Sequence, residues 1–371
     1  KSPLRLKGGG PVNLSVDLAL QSLTDVNIPY VSRESLSLQT GMVLGQGTFG
    51  IVYKGSLKGK PVAIKMLRNK DISAELLQEF QQEVRMAAHI SRFGPRVVKP
   101  LAVATDRHGS LLLVSEYVPG GDLSAYINCS TWWTPLKGKD SPVGKYTDKD
   151  DCGRQYVYAL PRPLLRHYSR EIVLSLCQLK EAGVVHRDLK PQNFLLTKED
   201  VKGQRNTSVA NKDEERLVCC DFGMAFLVTD QANHGDFTAG TRGYIAPEID
   251  GSGLTVGHAV DVFSVGVILI ELWCGAVWQP GGSEEPEPLN GKDFTPNEWY
   301  QWYRQTEVRE ALKKIRKIEP AAAWLFGRCV SPKAKQRPEA EELRKALDDI
   351  FIHEEDGGGG QKEGWAISLI R

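Results

Sequence analysis

The sequence predicts an α+β fold in two lobes: a β-rich first lobe with one main helix, and a mainly helical second lobe. Three observations predict it. Short β-type runs separated by turn signals fill Gly41 to Leu67. Helical spacing then takes over in residues 73–90, and a short apolar strand follows at Leu111–Ser115. Beyond it the two strongest patterns, Leu164–Glu181 and Val260–Trp273, are both helical. A chain of 371 residues exceeds one average domain, which suits two packed lobes with additions.

The β-rich stretch reads GMVLGQGTFGIVYKGSL, a turn at Lys58-Gly59-Lys60, then PVAIKML, which is an antiparallel hairpin pattern. In residues 73–90, Leu76, Phe80, Glu83, Ala87 and Ile90 recur at three and four residues and share one face. The acid on that apolar face is the odd member. A buried carboxylate needs a cation, so Glu83 asks for a partner; Glu79, one turn earlier, sits off the stripe. After Leu111–Ser115, Glu116-Tyr117-Val118-Pro119-Gly120-Gly121 reads as a strand leaving into a turn. Leu165, Tyr168, Ile172, Leu176 and Leu179 line one side of the next helix, while Val260–Trp273 is strongly apolar, as the centre of a helical lobe would be. Residues 129–160, 199–215 and 279–297 are polar, charged or Gly/Pro/Glu-rich and read as surface loops. The expected organisation is an N-terminal extension over 1–40, a two-lobed domain over 41–352 divided at about 116–122, and a Gly-rich tail over 353–371.

Forty-seven basic against 46 acidic side chains leave a formal charge of +1, so no nucleic-acid partner is expected. The longest apolar stretch, Val260–Trp278, is interrupted by Asp261 and Glu271 and reads as a core helix, so no transmembrane segment is expected. The chain starts at Lys1 rather than Met, which reads as a fragment or a processed form. Seven cysteines form no CxxC pair. Cys177, Cys219, Cys220 and Cys274 lie in apolar segments and read as buried thiols. Cys129 and Cys152 flank a polar insertion, but the odd total and the intracellular look of the rest argue against a disulfide. The Asn-x-Ser matches at Asn128 and Asn206 would matter only in a secretory context.

The chemistry lies in an ordered set of motifs. Gly45-Gln46-Gly47-Thr48-Phe49-Gly50-Ile51-Val52 has β-type sequence on both sides, unlike a dinucleotide site, which opens a helix. Three glycines at a hairpin tip let backbone amides close over phosphates, although a simple hairpin turn is the favoured reading of the motif when it is taken alone. Val62-Ala63-Ile64-Lys65 then places a lysine on an apolar strand. Lys65 holding phosphate oxygens while Glu83 holds Lys65 satisfies both odd residues at once. Downstream stand His186-Arg187-Asp188-Leu189-Lys190-Pro191-Gln192-Asn193 and, after an apolar strand, Asp221-Phe222-Gly223. Phosphoryl transfer needs positioned charge more than covalent chemistry. Asp188 suits orientation and deprotonation of an attacking hydroxyl, and Lys190 suits charge neutralisation on the transferred group. Asn193 and Asp221 are hard oxygen donors of the kind Mg²⁺ takes alongside nucleotide phosphates.

With Ala246-Pro247-Glu248, these motifs stand in the order found in eukaryotic protein kinases, and the chain resembles that family over about residues 41–352. The resemblance implies the bilobal protein kinase fold, with ATP and Mg²⁺ (or Mn²⁺) as cofactors and proteins as substrates. It further implies that Glu116 and Val118 read the adenine edge, that Leu44, Val52, Ala63 and Leu195 sandwich the ring, and that Asp122 meets the ribose. Ser115 takes the gatekeeper position, where a small residue leaves a pocket behind the adenine. Asp261 is implied as an anchor of the catalytic loop, and Glu248 as the partner of Arg337. Lys190 and the segment Gly240-Thr241-Arg242-Gly243-Tyr244 resemble serine/threonine kinases, with Thr241 expected to bond Asp188 and Lys190. Gln192 stands where kinases that read arginine before the target often carry an acid, so strong basophilic specificity is not expected. Arg187 beside Asp188 suggests control by a phosphate in the activation segment, at Thr238 first and Thr229 second, unless Asp236 already supplies the charge.

Two readings from other classes stand beside this one. A pseudokinase scaffold would be expected to lack Lys65, Asp188 or Asp221, and a small-molecule kinase would lack the segment from Gly240 to Glu248. The insertion before Leu164 and the start at Lys1 also resemble plastid state-transition kinases, which implies a chloroplast location. The sequence is silent on oligomeric state.

Overall fold

The structure is a computed structural model that describes residues 16, 19–47, 50–67, 72–128, 133–135, 146–149, 155–158, 160–198, 215–229, 240–249, 257–275 and 308–352. Contacts divide the chain into two units, Lys1–Pro119 with Cys220–Gly223, and Gly120–Cys219 with Met224–Arg371.

The first unit is built on a five-stranded antiparallel sheet. Its strands are β1 (Leu36–Gly47), β2 (Gly50–Leu57), β3 (Lys60–Leu67), β4 (Pro100–Thr105) and β5 (Leu111–Glu116), in the order β1-β2-β3-β5-β4. The β2–β3 hairpin closes on Lys58 and Gly59, both at positive φ (49° and 82°), which is the turn whose twist matches the flanking strands. Along β3, Val62 and Ile64 are buried while Ala63 and Lys65 are only partly so, the alternation a strand imposes. Helix α1 (Ala74–Ile90) starts at Ser73, whose Oγ accepts the Leu76 amide at 3.2 Å. Apolar clusters form from alternate residues of the sheet. Leu67, Val103, Leu111 and Leu113 join Phe80, Val84 and Ala88 of α1. Val62, Ile64, Ala102, Ala104, Leu112 and Val114 make the other cluster.

Among the described residues, the second unit contains the short helix α2 (Leu123–Ile127) and five longer ones: α3 (Arg162–Glu181), α4 (Ala259–Cys274), α5 (Arg309–Ile318), α6 (Pro320–Cys329) and α7 (Ala340–Ile352). Every residue from Val260 to Cys274 is buried, so α4 needs no polar face. Its packing against α6 depends on Gly266, where a Cβ would stand 2.5 Å from the Cβ of Cys329. Trp273 donates its indole N–H to Ser169 Oγ of α3 at 3.1 Å. Two small antiparallel ladders carry the functional loops. One pairs β10 (Phe194–Leu196) with β11 (Leu217–Cys219), and the other pairs β9 (Val184–Val185) with β12 (Phe226–Leu227).

The structure departs from the sequence reading in residues 129–160. Inside that expected loop, β6 (Trp133–Pro135), β7 (Tyr146–Lys149) and β8 (Gln155–Tyr158) form an antiparallel sheet in the order β6-β8-β7. Strands of three or four residues are too short to show an alternation, and what makes them strands is their partners. Cys177 and Cys220, expected to be buried, are only partly so; Cys177 lies beside the apolar stripe of α3 rather than on it. Cys129, Cys152 and the segments 199–214 and 279–297 fall outside the described residues. Among the described residues no helix is long and apolar enough to cross a membrane.

Candidate active site

In the first unit, β3 and α1 bring Lys65 and Glu83 together. The Lys65 ammonium donates to Glu83 Oε1 at 2.7 Å and to Asp221 Oδ1 at 2.8 Å. Burial disfavours the charge on Lys65, but the two carboxylates more than offset that and raise its pKa, so the lysine is held cationic. Asp221 reaches the pair from a left-handed backbone (φ 66°), a conformation a non-glycine residue adopts only when its surroundings enforce it.

The glycine loop closes the β1–β2 hairpin in the pairs Gly45↔Val52, Gln46↔Ile51 and Gly47↔Gly50. Its glycines differ in kind. A Cβ at Gly50 would lie 2.4 Å from the Met66 carbonyl oxygen of β3, whereas one at Gly45 or Gly47 would meet nothing within 4 Å. Gly50 is therefore a packing requirement, and Gly45 and Gly47 leave open space beside the backbone. Thr48 and Phe49 lie outside the described residues. Leu44 is exposed, and Val52, opposite Lys65 on β2, is partly exposed like Ala63. Glu116 ends β5, its carboxylate accepting the Lys99 amide at 2.9 Å, and Val118 follows, partly exposed.

In the second unit, the loop after β9 is pinned by α4. Buried Asp261 accepts the backbone amides of His186 and Arg187 at 2.8 and 2.9 Å, which fixes the turn that presents Asp188. Lys190 Nζ donates to Asp188 Oδ2 at 2.7 Å and to Thr241 Oγ1 at 2.7 Å, while the Thr241 hydroxyl donates to Asp188 Oδ1 at 2.6 Å. Asn193 spends its amide nitrogen on the Asp188 carbonyl at 2.7 Å, which orients its Oδ1 as the remaining polar atom. Leu195 lies on β10, bridged to Asp122. Asp122 itself caps α2, accepting the Ala125 amide at 2.9 Å.

Residues 38–347 match the family model described as "Protein kinase domain". The chain belongs to the protein kinase domain family. It is 31% identical to the proline-rich receptor-like protein kinase PERK13 of Arabidopsis thaliana over 82% of this chain and 38% of the relative. It is 28% identical to the serine/threonine-protein kinase VIK of the same plant, over 86% of this chain and 61% of the relative. A CBL-interacting serine/threonine-protein kinase 2, also from Arabidopsis thaliana, is 28% identical over 88% of this chain and 63% of the relative. The chain thus spans less than two thirds of the length of these curated relatives. Two of these relatives are named serine/threonine-protein kinases, and none of the three is named as a scaffold or a small-molecule kinase.

The rest of the kinase domain supports this loop through long-range polar contacts. Arg337, its side chain fully buried, pairs bidentately with Glu248 at 2.5 and 2.7 Å and also donates to the carbonyls of Ser331 and Ala259. Arg187 has φ 67° and donates Nε to the Met224 carbonyl at 2.6 Å, with its guanidinium 5.2 Å from the Phe226 ring centre. Its NH1 is buried without a hydrogen-bond partner among the described residues, and burial lowers its pKa. Thr229 is exposed after β12, and no hydrogen bond joins it to Arg187; Thr238 lies outside the described residues.

One pair escaped the sequence reading. Tyr244 donates its hydroxyl to Glu271 Oε2 at 2.8 Å, and Ser264 Oγ donates to the Tyr244 carbonyl at 2.8 Å. The signal was present: Glu271 is an acid inside an apolar helix, the same oddity that marks Glu83 in α1.

Proposed function

We propose that this protein transfers the γ-phosphoryl group of ATP to serine and threonine hydroxyls of proteins. The observation that carries the reading is the closed set Asp188–Lys190–Thr241, in which three side chains fix one another by bonds of 2.6 to 2.7 Å. Asp188 accepts the proton of the attacking hydroxyl, and Lys190 neutralises charge on the phosphoryl group in flight. Lys65, held cationic by its two carboxylates, takes oxygens of the preceding phosphates. Leu44, Val52, Ala63 and Leu195 contact the adenine, Glu116 and Val118 read its edge, and Asp122 meets the ribose. Asp122 would have to serve the ribose while capping α2.

The Asp221 carboxylate and the Asn193 amide oxygen would hold the divalent cation. Among the described residues no cluster of three acids, cysteines or histidines forms a metal cage. Phosphates and water would supply further ligands, the arrangement Mg²⁺ prefers, with Mn²⁺ as a substitute. When bound, the cation supplies charge neutralisation on the triphosphate.

The buried Arg187 NH1 supports control by an activation-segment phosphate, at Thr238 or, second, Thr229. The domain limits follow the same reading: an N-terminal extension over 1–40, a kinase domain over 41–352 and a tail over 353–371. The test is incubation with labelled ATP·Mg²⁺ and a generic protein substrate, beside Asp188→Asn. Transfer by the wild type alone supports the reading, and no transfer by either favours an ATP-binding scaffold.

A further inference from the structure

The N-terminal stretch over residues 19–31 ties the helix that carries Glu83 to the sheet that carries Lys65. Its far end is stitched to the edge strand β4: Val31 donates its amide to the Val103 carbonyl and Val103 donates its own to the Pro29 carbonyl, both at 2.9 Å. The Tyr30 and Thr105 hydroxyls meet at 3.1 Å. Tyr30 thereby bridges in parallel to an otherwise antiparallel sheet, at its open edge.

Its near end covers α1. Leu20 and Leu23 are fully buried, and Ile28 is 6% exposed, in one cluster with Phe80, Val84 and Ala88. Those three helix residues are spaced by four, so they form a single stripe, offset by one position from Glu83. Gln81 Nε2 donates to the Ala19 carbonyl at 2.7 Å, and Arg85 reaches Asp25 at 3.3 Å. Contacts from Gln81, Val84 and Arg85 therefore bracket Glu83 along the helix, while Glu83 itself faces Lys65 at 2.7 Å.

We infer that residues 19–31 are an intramolecular brace that sets the Lys65–Glu83 distance, with Leu23 and Gln81 as positioning residues for phosphoryl transfer. A helix held on a sheet by apolar contacts alone still slides or rotates over it, and a one-residue rotation takes Glu83 away from the ammonium. The brace opposes this from the flank, because its other end is hydrogen-bonded to the same sheet. The inference rests on the role proposed above for Lys65 and Glu83.

The experiment is a double-mutant cycle on the full chain: Gln81→Ala, Leu23→Ala and Gln81→Ala/Leu23→Ala, each with and without Glu83→Gln, with kcat and the KM for ATP measured for all. If the brace acts through Glu83, the double brace variant lowers kcat about tenfold or more when Glu83 is present. It lowers kcat less than about twofold once Glu83→Gln has removed the pair. The same loss in both backgrounds overturns the inference, as does no loss when Glu83 is present. Should Leu23→Ala fail to fold by circular dichroism, Gln81→Ala alone completes the cycle, read against the roughly fivefold of one net hydrogen bond. Wild-type activity for Glu83→Gln alone would instead overturn the role given to the pair, which separates the two failures.

Discussion

Replacing Glu271 by glutamine removes a pH dependence that burial builds into α4. The carboxyl group is buried on every side of an apolar helix, and desolvation pushes its pKa up to about 8, against the opposing pull of the Tyr244 hydroxyl. Its ordinary value is 4.5. The folded protein therefore keeps a proton that the unfolded chain releases. Stability from this group is fully present below the ordinary value, falls as pH rises through the window up to about 8, and levels off above it. The slope in that window is about 1.4 kcal/mol per pH unit, so roughly 3 kcal/mol is lost by neutrality. Glutamine has the same shape, still offers an oxygen to Tyr244 and does not titrate. Urea unfolding of both proteins, followed by tryptophan fluorescence between about pH 5 and pH 8, gives the difference directly, because every other group cancels. Glu271→Gln should gain on the wild type by about 1.4 kcal/mol for each pH unit. Parallel curves, or a wild type that gains on the variant with rising pH, would refute the reasoning.

Four further outcomes follow from particular contacts. Thr241→Ala should lower kcat by about tenfold to a hundredfold, the worth of a hydrogen bond to a charged group, while Thr241→Ser restores it; steady-state kinetics decide. Arg337→Ala should cost about 3–5 kcal/mol in denaturant unfolding, because it strips a buried bidentate pair and leaves Glu248 uncompensated. Gly50→Ala should lower stability by about 1–3 kcal/mol, since its Cβ meets the Met66 carbonyl oxygen, whereas Gly45→Ala should not; matched thermal melts compare them. Ser115→Phe should weaken inhibition by bulky ATP-competitive compounds, and equal inhibition of both proteins would remove the argument from gatekeeper size.

What the amino-acid order determined by itself was local. Three- and four-residue spacing placed Glu83 on the inward stripe of α1 and Glu79 off it, and the structure pairs Glu83 with Lys65. An apolar run broken by Asp261 and Glu271 announced α4 as a central helix, and every residue from Val260 to Cys274 is buried. These features are legible because helix and strand repeats are short-range and the misfit of a lone charge shows against them. The tertiary structure alone decided who partners whom across long separations. Lys65 meets Asp221 from 156 positions away. The same holds for Tyr244 satisfying Glu271, residues 19–31 packing on α1, and three short strands pairing inside residues 129–160. Each depends on groups that sequence periodicity does not connect: a buried polar atom needs some partner, and only the packed chain says which one lies within hydrogen-bond reach.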